Sequence, residues 1–219
     1  MDIEVIQEYI PLYVEAAKLT LRLAIIGILG AIIVGLLCSI IRYYKIPIIH
    51  KIVGGYVELS RNTPLLIQLF FLYFGLPKIG IVMSSEACAI VGLIFLGGSY
   101  MSEAFRSGLE AIPKIQEESG LCLGLTRWQV VRSILLPQAI MISMPAFLAN
   151  IIFLIKETSV FSVVALADLM FVAKDLIGLY YRTDEALFLL VVAYLIILLP
   201  ISILFTIVER RLKRVAIGN

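Results

Sequence analysis

Charge is what this 219-residue chain has least of: only 16% of its residues are Asp, Glu, Lys or Arg, against roughly 25% in soluble domains. So thin a charged complement cannot coat a soluble surface, and a net charge of +2 is too small for a nucleic-acid footprint. Histidine occurs once, as His50, and cysteine three times, as Cys38, Cys88 and Cys122. That inventory excludes a recognisable zinc or haem site and a disulfide framework. There is no His cluster, no Cys–His pair and no Gly-x-Ser-x-Gly elbow, so an intramembrane enzyme would lack its nucleophile. The phosphate-binding pattern Gly-x-x-x-x-Gly-Lys-Ser/Thr is missing too, since the chain holds no Gly-Lys dipeptide.

Apolar surface is abundant instead. Hydrophobic residues make up 61% of the chain and mean hydropathy is +1.04. A core of this size cannot hide that surplus, so lipid must solvate it, and the expectation is a single-domain, all-α membrane protein over 1–219. Uncharged runs cover 23–41, 62–76, 87–102, 133–155 and 186–208. A crossing helix needs about 20 residues, so the second and third runs must borrow flanks that carry Glu58 and Arg61, or Glu103. A sixth stretch, 160–172, is too short to cross and contains Asp168; it reads as a re-entrant or surface helix.

Five crossings place the termini on opposite sides. Arg42, Lys45 and Lys51 follow the first run, and Arg210, Arg211, Lys213 and Arg214 crowd the C-terminal tail. Asp2, Glu4, Glu8 and Glu15 occupy the N-terminal segment. The positive-inside rule then sets the N-terminus outside and the C-terminus in the cytoplasm. Met1 to Lys18 lacks the basic start and small-residue cleavage site of a signal peptide, so the first span is expected to stay in the mature chain.

The cytoplasmic loop, about 110–137, carries the most pattern. A short helix over 115–123 is closed by Gly124, and Thr126 with Gln129 three residues later predicts a capping box on the next helix. Two helices meeting at a glycine would make a knob on the inner surface.

Here the residues resemble a family. Glu118-Ser119-Gly120, then Gly124, Ile134 and Leu136-Pro137, has the spacing of the EAA loop of ABC importer permeases, with Ser119 and Gly120 in place of two alanines. Glu58-Leu59-Ser60-Arg61-Asn62-Thr63-Pro64-Leu65-Leu66 followed by Gln68 resembles the second-span signature of polar amino-acid uptake permeases. Tyr100, Glu103, Arg106 and Gly108 resemble its third-span ending, and Asn150 with Lys156-Glu157-Thr158-Ser159 its fourth-span exit. Together they cover 19–211 and point to the histidine/glutamine/arginine-type permeases of bacterial ABC importers. The resemblance implies the type I importer fold and a bacterial plasma-membrane location. It also implies two separate ATPase subunits holding ATP and magnesium, an external amino-acid-binding protein, and a second permease, identical or related. In the knob it assigns Glu118, Gly124, Leu121 and Leu123 to ATPase coupling. Lacking a knob requirement, a channel or ion-coupled carrier fits less well.

Ionisable groups at membrane depth are costly, about 2.5–3.5 kcal/mol each on insertion scales, and are retained for pairing or function. Glu58 and Arg61, one turn apart, are expected to pair, as are Lys156 and Glu157 at the outer interface. Glu103 and Asp168 are then the acids left for a ligand. Asn150 sits within the longest uncharged run and either bonds another helix or contacts substrate. The expected substrate site is Glu103 with Asn150, and Thr63, Gln68 and Asp168 as further polar contacts. The cargo is then arginine, lysine or histidine, with glutamine as the neutral alternative. Arg22 is expected to snorkel to the outer headgroups, and Trp128, the only tryptophan, to lie at the inner interface. Gly27, Gly30, Ala31 and Gly35 allow close helix approach, within the protomer or between protomers.

Overall fold

The computed structural model describes residues 3–217, with side chains as far as Leu212. Asp2 and the side chains of Lys213 and Arg214, part of the charge asymmetry, lie outside the described residues. Every regular element described is helical. In chain order these are α1 (Ile3–Tyr43), α2 (Ile49–Arg61), α3 (Leu65–Phe70), α4 (Ser85–Glu110) and α5 (Lys114–Cys122). The remainder are α6 (Arg127–Val130), α7 (Leu136–Glu157), α8 (Leu169–Tyr180) and α9 (Thr183–Ile217).

Helix α4 is the centre of the bundle, packed along α1 on one side and α7 on another. The α1–α4 seam is built from small residues. A Cβ on Gly27 would lie 2.6 Å from Leu93 Cδ2, one on Gly30 2.5 Å from Ile94 Cδ1, and one on Gly35 2.4 Å from Met101 Cβ. The glycine stripe therefore serves packing within the protomer. On the α7 side the same device recurs at Gly108, where an added Cβ would lie 2.5 Å from the Ala139 carbonyl oxygen.

Among the described residues four helical stretches are long and apolar enough to cross a membrane: Ile3–Tyr43, Ser85–Glu110, Arg127–Val164 and Thr183–Leu212. The expected crossing over 62–76 is not among them; it holds a shorter apolar helical stretch, Leu65–Ile79. Helix α2 stops at Arg61, and α3 restarts after Pro64 and continues by a π turn (Phe71–Gly75) and a 3-10 turn to Ile79. Proline has no N–H and pushes the residue before it out of the α region, which separates the two halves at Asn62–Pro64. Both π turns among the described residues, Phe71–Gly75 and Val131–Leu135, end two residues before a proline, Pro77 and Pro137. The wider turn relieves the clash of the proline ring with the carbonyl four residues back.

Two further expectations are corrected. Arg22 does not reach for headgroups alone; its Nη2 donates to Glu86 Oε1 at 2.5 Å, joining α1 to the start of α4. The stretch containing Asp168 is neither one helix nor a surface one. A 3-10 segment (Thr158–Val164) turns back at Ala165, φ 55°, and α8 then packs Leu169, Ala173 and Leu176 into the main core. Tyr13 Oη closes this end by donating to the Ala186 carbonyl at 2.8 Å.

Candidate functional site

The break between α2 and α3 leaves carbonyls without helical partners, and nearby side chains capture them. Thr63 Oγ1 donates to the Leu59 carbonyl (2.8 Å) and Asn62 Nδ2 to that of Glu58 (2.7 Å). Gln68, buried beneath the break, donates from Nε2 to the carbonyls of Ser60 (3.2 Å) and Thr63 (3.0 Å). Ser60 and Tyr56 both donate to the Phe95 carbonyl, fixing α2 against α4. These side-chain bonds hold the open turn's backbone, as burial requires, while Gln68 Oε1 is itself buried without a partner.

A cavity of about 230 Å³ opens on this turn, with Tyr100 and Phe153 as aromatic walls and Leu65 and Leu96 as floor. Its two charged liners are Arg61 and Glu157. Arg61 stacks over the Tyr100 ring, 5.4 Å from its centroid. Glu157 is half-buried and makes no ion pair among the described residues. Its expected pairing with Lys156 fails because adjacent helical residues point in different directions; Lys156 is exposed. One base and one acid therefore face each other across a small, partly apolar volume.

Glu103 is not left free for a ligand. Arg42 from α1 donates to its Oε1, Arg106 Nη2 to its Oε2 at 2.7 Å, and Arg61 Nη1 stands 4.0 Å from Oε2. Arg106 also bonds Glu110 at 2.6 Å, so three guanidiniums meet two carboxylates, an excess of one positive charge. The expected Glu58–Arg61 pair does not form, because Arg61 turns towards this cluster. Asn150 donates to the Tyr100 carbonyl at 3.2 Å, a helix–helix bond that fixes one wall of the cavity. Asp168 is fully buried away from it, capping α8 by accepting from the Phe171 amide at 2.9 Å. Its carboxyl is pushed up to about 6, mainly by burial, and Oδ2 has no hydrogen-bond partner. Of the expected contacts only Thr63 lines this cavity; Gln68 and Asn150 support it from behind. Sequence reasoning named Arg61, Tyr100 and Glu157 separately and did not group them with Phe153 around one cavity.

The knob follows the local signals closely. Gly124, φ 83°, ends α5 with both bonds of a Schellman motif: Leu125 N to the Gly120 carbonyl (3.2 Å) and Gly124 N to that of Leu121 (2.9 Å). Thr126 and Gln129 form the reciprocal capping box. Leu109, Ile112, Val130, Leu135 and Ala139 make a second, smaller core beneath, and Gln138 ties α7 to Gln116 of α5 at 2.5 Å. Glu118, Leu121 and Leu123 are left exposed on the outer face of the knob, Leu123 with 80% of its surface open.

Similarity to known proteins agrees with this architecture. Residues 27–214 match the family described as binding-protein-dependent transport system inner membrane component. The chain is 34% identical to the glutamine transport system permease protein GlnP of Escherichia coli (strain K12), covering 93% of this chain and 94% of that one. It is 31% identical to the arginine transport system permease protein ArtQ of Bacillus subtilis (strain 168), over 93% and 94% of the two chains. A crystal structure of an amino acid ABC transporter with histidines superposes with TM-score 0.87 at 29% identity, over 96% of this chain and 99% of that one. A methionine ABC transporter in an inward-facing conformation shares the fold at TM-score 0.79 and 21% identity, over 94% and 98% of the two chains. The fold is that of a type I ABC importer permease, and the chain belongs to the family of binding-protein-dependent transport system inner membrane components.

Proposed function

We propose that this chain is the membrane-spanning subunit of an ATP-driven importer of a small polar amino acid, and that the cargo crosses at the Asn62–Pro64 break. The observation that carries the reading is the charge pair across the cavity, Arg61 opposite an otherwise unpaired Glu157. A zwitterion presents a carboxylate to the first and an ammonium to the second, so the half-buried Glu157 gains a partner and Arg61 a second one. An opened helix turn beside them is where transporters expose backbone groups to ligands. Thr63 adds a polar contact, while Gln68 holds the turn, Asn150 the Tyr100 wall, and Glu103 the Arg61 side chain.

A cationic cargo would need a further carboxylate to offset its desolvation. Neither acid nominated for that task lines the cavity: Glu103 is held by arginines, and Asp168 caps α8, buried away from it. We therefore assign a neutral polar amino acid of the glutamine type, in keeping with the name of the GlnP relative, ahead of arginine, lysine or histidine.

The remaining parts follow from the family and the missing phosphate loop. Two separate ATPase subunits hydrolyse ATP with magnesium and dock on the knob through Glu118, Leu121 and Leu123, displayed by the turn at Gly124. An external binding protein delivers the cargo, a second permease completes the path, and the N-terminus lies outside a bacterial plasma membrane with the C-terminus in the cytoplasm. Uptake of radiolabelled glutamine and arginine by the reconstituted transporter, with a permissive binding protein, tests the cargo assignment. Glutamine is expected to be preferred, and Glu157→Gln and Arg61→Gln should each reduce its uptake about 10–100-fold, the range for losing a hydrogen bond to a charged group. Preference for arginine rejects the neutral cargo; unchanged uptake in both variants rejects the cavity.

A further inference from the structure

A second cavity, of about 330 Å³, lies far from the helix break, between the α1–α2 connection and α6. It is lined by Ile40, Tyr44, Ile46, Pro47, Arg127 and Trp128. The lining is apolar apart from the Tyr44 hydroxyl and the Arg127 guanidinium. Arg127 makes no ion pair or side-chain hydrogen bond among the described residues, and neither do Lys45 on the connection and Lys51 in the first turn of α2. Glu117, the acid on the neighbouring helix, is engaged by the Tyr43 hydroxyl at 3.3 Å. That neutral hydroxyl leaves the Glu117 charge in place, so Arg127, Lys45 and Lys51 set three positive charges against one negative around an apolar wall.

The connection itself is strained. Lys45 and Ile48 both have left-handed backbone, with φ 49° and φ 66°. Ile48 has ψ −54°, and Ile49 N bonds to the Pro47 carbonyl at 2.7 Å, a γ-turn of the disfavoured hand. A β-branched residue in that conformation is a genuine outlier, held only where the surroundings demand it. The turn throws Ile48 outward with 74% of its surface open, and Ile49 and Ile52 follow it. In water this would combine backbone strain with exposed apolar surface and no compensation. Trp128, 64% exposed at the cavity edge, has the amphipathic ring favoured at a membrane–water boundary.

We propose that this cavity is a binding site for an anionic phospholipid at the membrane surface on the knob side. Arg127 holds the headgroup phosphate, and Lys45 and Lys51 add attraction from the rim. The first part of an acyl chain lies on Ile46, Pro47 and Trp128, with Ile48 and Ile52 inserted beside it. The long stems of the basic residues suit this depth, since they can cover apolar surface while keeping their charge at the headgroups. The occupant is a lipid rather than a soluble anion because the charged rim and the apolar floor belong to one cavity. None of the residues proposed for ATPase docking, Glu118, Leu121 and Leu123, lines this cavity.

Trp128 is the only tryptophan, so its fluorescence reports on this cavity alone. The full chain in phosphatidylcholine nanodiscs is titrated with phosphatidylglycerol brominated on its acyl chains, and separately with brominated phosphatidylcholine. Phosphatidylglycerol should quench at markedly lower mole fraction. Arg127→Gln should weaken that preference about fivefold, the effect of one basic residue at a lipid surface, whereas Arg127→Lys should keep most of it. If Arg127→Gln proves unfoldable, Lys45→Gln with Lys51→Gln should erode the preference while leaving Trp128 accessible. Equal quenching by the two lipids, or a preference indifferent to all these substitutions, overturns the proposal. So does complete shielding of Trp128 from both lipids in the assembled transporter with tryptophan-free ATPase, which would give the cavity to the ATPase.

Discussion

Replacing Gly35 by alanine should loosen the molecule at its central seam. The added Cβ would lie 2.4 Å from Met101 Cβ, 2.8 Å from Ser102 N and 2.9 Å from Met101 C. Ordinary carbon contacts are about 3.5–4.0 Å, so α1 and α4 must part by about 1 Å. Two of the three clashes are with backbone, which cannot rotate away. Overpacking typically costs about 1–3 kcal/mol, and the upper end applies here because separation also strips the Gly27–Leu93 and Gly30–Ile94 contacts. Alanine regains up to about 1 kcal/mol of helix propensity, leaving a net loss of about 2 kcal/mol. Gly54 in α2 is the internal control, since nothing lies within 4 Å of its ideal Cβ. Gly54→Ala should therefore stabilise by up to about 1 kcal/mol, separating the two variants by about 3 kcal/mol. Denaturant unfolding in mixed micelles, followed by circular dichroism, measures both. A Gly35→Ala variant as stable as wild type, or more so, would refute the close α1–α4 packing.

Asp168→Asn keeps the helix cap and removes the buried charge. An acid raised from 3.8 to about 6 on folding gives stability that is whole below pH 4 and is lost as pH rises to 6, a difference of about 3 kcal/mol at most. The variant should gain up to that amount at pH 7, little at pH 4, and show a flatter unfolding profile between them; an equal effect at both would contradict the burial argument. Glu103→Gln leaves Arg42, Arg61 and Arg106 facing one another without their shared counter-charge. It should cost about 1–3 kcal/mol, less than a fully buried pair because part of Glu103 remains solvated, and should depress glutamine and arginine uptake alike. Selective loss of arginine would return Glu103 to the cargo site. Glu118→Lys should leave the unfolding midpoint within about 0.5 kcal/mol of wild type, as for an exposed side chain, while weakening ATPase co-purification. Normal ATPase retention with full uptake would remove Glu118 from the coupling surface.

The knob was legible in the sequence to within a residue because its signals act over one helical turn. A cap at Thr126 with Gln129 and a glycine at 124 specify their own hydrogen bonds, whatever lies elsewhere. The all-helical, membrane-embedded class was equally open, since 61% hydrophobic residues leave few alternatives. The cavity at the helix break was not, because the residues lining it are brought together by packing. Arg42 meets Glu103 across 61 residues, and pairing charges by proximity in sequence joined Arg61 to Glu58 and Glu157 to Lys156 instead. Those two assignments left Glu103 as an unpaired acid in the sequence, whereas Arg42 and Arg106 hold it in the structure. Pro64 marked a kink in the sequence, yet the consequence, two helices parted around a cavity, depends on where Tyr100 and Phe153 arrive from α4 and α7.

The central claim is that the cargo's ammonium is received by Glu157. The most direct test is a cycle that removes the two partners separately and together. Binding of glutamine and of its analogue lacking the α-amino group is measured by calorimetry on the purified transporter, in wild type and in Glu157→Gln. Wild type should prefer glutamine by about 10-fold or more, a charged hydrogen bond being worth about 1.5–3 kcal/mol, and Glu157→Gln should abolish that preference. The same preference for glutamine in both proteins would show that the ammonium is bound elsewhere and contradict the account.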